Sequence, residues 1–79
     1  MTNRERFLGV YTEELRSEIT RRPFDYGYPV ERAPEVAEKM VLSMAKKGAN
    51  IHGSNPIKRT CRQLGIRCTF DAIAEFLNA

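Results

Sequence analysis

Few residues of this 79-residue chain could take part in covalent or acid–base chemistry, and their spacing assembles no catalytic centre. His52 is the single imidazole and lies in the glycine-containing stretch Ala49-Asn50-Ile51-His52-Gly53, with no His/Cys/Asp arrangement that would make it a base. Cys61 and Cys68 are seven apart, lack the CxxC spacing, and with one histidine do not complete a zinc set, so they are expected to be buried or half-buried free thiols. No glycine-rich loop is placed to cradle a phosphate. Glu13, Glu14 and Glu18 are read as solvated surface along one exposed helix face. These residues predict a binding protein rather than an enzyme, with no catalytic residue, no metal and no cofactor.

The chemistry that remains is electrostatic. Segment 46–67 holds six basic residues, Lys46, Lys47, Lys58, Arg59, Arg62 and Arg67, and no Asp or Glu. The other 57 residues hold 7 basic and 10 acidic residues, so a modest formal charge of +3 hides a strong segregation along the chain. Such segregation points to an anionic partner, with a basic solvated helix face as the plain alternative.

The elements that must carry these residues read as helices. Phe7, Leu8, Tyr11, Leu15 and Ile19 recur at three- and four-residue spacing, predicting a helix over 3–20 capped by Thr2 or Asn3 and ended by Arg21-Arg22-Pro23. Gly9 inside that pattern suggests close packing. The proline-bounded segment 23–32 cannot continue the helix, and its rings Phe24, Tyr26 and Tyr28 serve either as a recognition loop or as a lid on the core. A second helix is predicted over 34–47, with Val36, Ala37, Met40, Val41 and Met44 inward and Lys46-Lys47-Gly48 closing it. A third is predicted over 56–64 with Ile57, Cys61 and Leu64 on one face and Lys58, Arg59 and Arg62 off it. A fourth spans 69–78, with Phe70, Ile73, Ala74 and Leu77 inward.

The fold class expected is all-α: a single domain, 1–79, built as a compact bundle of about four helices. A chain this short buries only about 60% of the surface its unfolded state exposes, so the core is thin and a partner or second copy could support it. No apolar run approaches the roughly 18–20 residues of a membrane span, and the first residues lead into no apolar signal core, so a cytoplasmic protein is expected.

The run 56–70 resembles a helix-turn-helix: an amphipathic helix ends in Leu64-Gly65-Ile66, and Thr69 caps the next. In DNA-binding members of that class the second helix reads base edges, which here would fall to Thr69, Asp71, Ala72 and Glu75. Two of those are acidic, which suits a backbone grip by the preceding helix better than base reading. More broadly, Tyr26-Gly27-Tyr28-Pro29, 36–40 and 60–66 look like small uncharacterised proteins of tailed bacteriophages and prophages. That resemblance implies a phage accessory protein in a bacterial host cell, acting on nucleic acid or on a host protein, and it carries no activity with it. Two uses stay open: nucleic-acid binding through Lys46, Lys47, Lys58, Arg59, Arg62 and Arg67, or a protein-interaction module, adaptor or inhibitor, using Phe24, Tyr26 and Tyr28, alone or as a homodimer.

Overall fold

A computed structural model describes residues 1–46 and 54–79. Four α-helices follow in order, α1 (Asn3–Arg21), α2 (Ala33–Met44), α3 (Asn55–Leu64) and α4 (Phe70–Asn78), with single-turn 3₁₀ helices at Pro23–Asp25 and Val30–Arg32. No strand occurs among the described residues, so the all-α bundle is what the chain adopts. No helix among them is long and apolar enough to cross a membrane.

Helix α1 starts in a reciprocal capping box. The Glu5 backbone N–H donates to Thr2 Oγ1 at 3.1 Å, and the Thr2 N–H donates to Glu5 Oε1 at 3.0 Å. Those bonds hold the Glu5 carboxyl below its usual range. From there Phe7, Tyr11, Leu15, Glu18 and Ile19 are buried at helical spacing, and α2, α3 and α4 all pack against α1. On α2 the buried set is Ala33, Ala37, Val41 and Met44, and the two alanines let its first turns lie close against α1. Val36 and Met40 pack at the edge of the core. The helix ends at Met44, short of the predicted 47, and the predicted stop at Lys47-Gly48 lies outside the described residues.

Helix α3 buries Pro56, Ile57, Thr60 and Cys61. Thr60, fully enclosed, donates from Oγ1 to the Pro56 carbonyl at 2.7 Å, so its hydroxyl is not left unpaired in the core. Ser54 occupies the cap position without a side-chain bond. The helix closes in a Schellman turn: the Ile66 N–H donates to the Cys61 carbonyl at 3.0 Å and the Gly65 N–H to that of Arg62 at 3.3 Å, with Gly65 left-handed at φ 70°. Ile66 then packs against the core, and Thr69 Oγ1 accepts the Ala72 N–H at 3.2 Å to start α4. Ile73, Ala74 and Leu77 point inward as expected. Phe70 does not: at the first position of α4 it stays 46% exposed, because the inward stripe begins one turn later.

Two glycines have opposite roles. Gly65 needs its positive φ, whereas Gly9 is exposed in mid-helix, and a Cβ there would meet nothing within 4 Å, so it does not mark close packing. Gly65→Ala is expected to lower the unfolding free energy by about 1–2 kcal/mol through left-handed strain. Gly9→Ala is expected to raise it by about 0.5–1 kcal/mol by removing unfolded-state freedom. Urea denaturation of the two variants beside the parent measures both signs.

Candidate nucleic-acid interface

The outward arc of α3 follows from its sequence. With Ile57, Thr60 and Cys61 turned to the core, Lys58 and Arg62, four residues apart, fall together on the exposed side. Arg67 is exposed beyond the turn. Arg59 and Gln63, also four apart, lie along the flank that meets α1. Arg59 Nη1 reaches Glu18 Oε2 at 3.3 Å, and Gln63 Nε2 donates to Glu14 Oε1 at 2.7 Å. The pairs 59 with 18 and 63 with 14 set α3 antiparallel to α1 and fix its register.

Lys46 sits elsewhere. The Asn78 side-chain amide donates to the carbonyl of Ala45 at 2.7 Å and to that of Ala74 at 2.9 Å, and its Oδ1 accepts from Arg4 Nη2 at 3.1 Å. That junction places the end of α2 beside the first turn of α1. Arg4 and Glu18 are separated by about 21 Å of helix. The basic segment is therefore divided: Lys58, Arg59 and Arg62 lie along α3, Lys46 lies near the opposite end of α1, and Lys47 lies outside the described residues.

Glu18 is the main departure from the sequence reading. It is 4% exposed rather than solvated, while Glu13 is exposed and Glu14 half-buried. Three guanidinium groups converge on its carboxylate: Arg21 Nη2 at 2.7 Å, Arg59 Nη1 at 3.3 Å and Arg22 Nε at 3.6 Å. Arg22 also approaches Asp25 at 3.7 Å. One negative charge holds three cations at the seam between α1, the first 3₁₀ turn and α3, and Arg59 is partly committed to it. The helical neighbours Arg21 and Arg22 at i+3 and i+4 were readable as partners of Glu18. The pairing with Arg59, 41 residues away, had no local signal.

The aromatic segment divides into packed and exposed rings. Tyr26 and Tyr28 are half-buried, pack on the core edge and meet edge-to-face with centroids 5.9 Å apart. Burial raises both phenols above their ordinary range, Tyr26 further through the nearby Glu18 charge. Phe24, by contrast, is 99% exposed. Cys61 is buried and Cys68 is exposed, so only one thiol matches the expectation of burial. Burial, with the Cys68 thiol beside it, pushes the Cys61 thiol up to about 12. Among the described residues no three His, Cys, Asp or Glu side chains converge as a metal site, and His52 lies outside them.

The two C-terminal helices are joined by the tight turn the sequence predicts. Each rests on α1, α4 also on α2, so α1 more than direct mutual packing sets their angle. Asp71 and Glu75 are both exposed on α4. The chain matches no family model, no curated protein and no solved structure.

Two outcomes are expected from this geometry. Glu18→Ala should lower the unfolding free energy by about 2 kcal/mol, less than a fully buried pair because its arginine partners are partly solvated. Arg59→Ala should cost about 1 kcal/mol, and the double variant should fall short of the sum; a denaturation cycle reads that coupling. A thiol reagent should modify Cys68 in the folded protein and Cys61 only after denaturant is added, as followed by intact mass.

Proposed function

We propose that this chain is a small nucleic-acid-binding module that grips the phosphate backbone with little or no sequence preference, centred on α3. The observation that carries the reading is the exposed line of Lys58 and Arg62, continued by Arg67 past the Schellman turn, with no ion pair to any of the three among the described residues. Phosphate contacts of this kind give affinity and orientation without reading bases. Asp71 and Glu75, exposed on α4, argue against that helix entering a groove lined by phosphates. Lys46, at the far end of α1, contributes at most a second and separate contact. That the protein is an accessory factor of a phage or prophage, acting in a bacterial host cell, rests on the resemblance of 26–29, 36–40 and 60–66.

A second reading has its own observation. Leu42, 53% exposed, lines an open apolar groove with Leu8 and Val41 between α1 and α2, a surface suited to a protein-interaction module that docks on a host protein or on another copy of the chain. A pull-down from bacterial lysate with and without nuclease separates the readings: capture that survives nuclease favours the protein partner.

On duplex DNA, binding is expected to weaken with salt at a log–log slope of about −3, at roughly −0.9 for each of three phosphate contacts. Replacing both Lys58 and Arg62 by alanine should bring the slope to about −1 while the unfolding midpoint stays put, since both side chains are exposed. Fluorescence anisotropy at several salt concentrations reads the slope. No binding at low salt to duplex or single strands would sink the reading.

A further inference from the structure

The exposed ring of Phe24 lies close in the chain to the arginine cluster around Glu18, and although that cluster seats α3, the fold gives no reason for the ring to stay outside. A domain with so thin a core would gain by burying every ring, and Tyr26 and Tyr28, two and four residues on, are packed against it. Phe24 stays outside on an ordered turn. The Arg22 N–H donates to the Glu18 carbonyl at 2.8 Å, the Asp25 N–H donates to the Arg22 carbonyl at 3.1 Å, and Pro23 restricts the backbone between them. The backbone that carries the ring is therefore ordered before any binding.

Two and three residues before it are Arg22 and Arg21, and Glu18 joins them to Arg59 of α3. One carboxylate balances one of the three charges, and Asp25 approaches only Arg22. Each guanidinium has five N–H donors in a fixed fork, so donors remain for oxyanions after Glu18 is served. Side chains of Arg21 and Arg22 are 52% and 61% exposed and reach solvent. Lys58 and Arg62, flanking Arg59 on α3, extend the positive surface.

An aromatic face beside a positive track is the combination that binds unpaired strands: bases stack on the ring while cations follow the backbone. A duplex keeps its base faces inside its own stack and cannot offer them to Phe24. We propose that the preferred ligand is single-stranded nucleic acid, with one base stacked on Phe24 and its neighbouring phosphates held by Arg21, Arg22 and Arg59. This rests on the nucleic-acid reading above and narrows its substrate class.

The chain has no tryptophan, so Phe24→Trp supplies a sole indole reporter at the stacking position. With a thymidine oligomer of about ten nucleotides, its emission should be quenched as the strand binds, with parent-like affinity. Phe24→Ala, safe for folding because the ring is exposed, should bind that strand about fivefold or more weakly and bind a duplex within about twofold of the parent. Arg21→Gln with Arg22→Gln should reduce the salt slope on the strand by about 1 to 1.5, at roughly 0.7 per lost contact. Unchanged indole emission on binding, or equal loss on strand and duplex for Phe24→Ala, overturns the proposal. If those results appear while the Lys58 and Arg62 variants still lose duplex binding, the backbone-gripping reading stands and only this inference falls. If the parent binds neither ligand at low salt, both fall.

Discussion

A single apolar face on α1 organises the molecule. Phe7, Tyr11, Leu15 and Ile19 are all buried, and the three other helices pack against the helix that carries them. In a chain of 79 residues there is too little apolar surface for a second centre, so every other element has to be seated on this one. The small side chains of Ala33 and Ala37 bring α2 in closely. The aliphatic and small faces of α3 and α4 fill the remaining sides. Polar ties then set what apolar contact leaves loose: Glu14 and Glu18 fix the register of α3, and Asn78 joins the end of α4 to the starts and ends of its neighbours.

This arrangement explains which features were legible in the residues alone. Periodicity located α1 through α4 because each has an inward stripe, and the turn chemistry of Thr2, Gly65 and Thr69 marked boundaries that depend on local hydrogen bonds. What local pattern could not show was pairing across the chain. Glu18 looks like a surface acid when only its helix is considered, since the carboxylates of Glu14 and Glu13, four and five residues before it, share its neighbourhood. It becomes buried only because α3 arrives beside it and supplies Arg59. Thr60 was missed for a different, local reason: its hydroxyl is satisfied by the Pro56 carbonyl within α3, which allows a polar residue to sit wholly inside an apolar stripe. Phe70 shows the reverse error, a large apolar side chain that helical spacing assigns to the core and geometry leaves outside, while Phe24, left open between lid and recognition loop, is outside too.

The candidate site was legible in part. That α3 would present Lys58 and Arg62 outward follows from helical spacing around Ile57 and Cys61, and both are exposed. That Lys46 would not join them does not follow from sequence, because separation along a chain says little about separation across a bundle. Nor does the convergence of Arg21 and Arg22 with Arg59 follow, since the first two belong to a segment whose summed charge is negative. The basic surface thus gains residues from outside the acid-free stretch and loses residues from within it.

The same carboxylate that anchors α3 also limits the field the protein can project. Because Glu18 lies among three guanidinium groups, and Glu14 beside Gln63, the acids of α1 offset part of the charge that α3 brings to the seam. The exposed acids Asp71 and Glu75 lie on α4 and Asp25 in the first 3₁₀ turn, which leaves α3, a helix with no acid of its own, as the element whose positive charge is least opposed. A weak net field concentrated on one edge favours contacts made at short range by oriented donors over long-range steering. On the proposed nucleic-acid reading, such an edge would act through geometry already in place, and the Glu18 carboxylate contributes to it by drawing Arg21, Arg22 and Arg59 together.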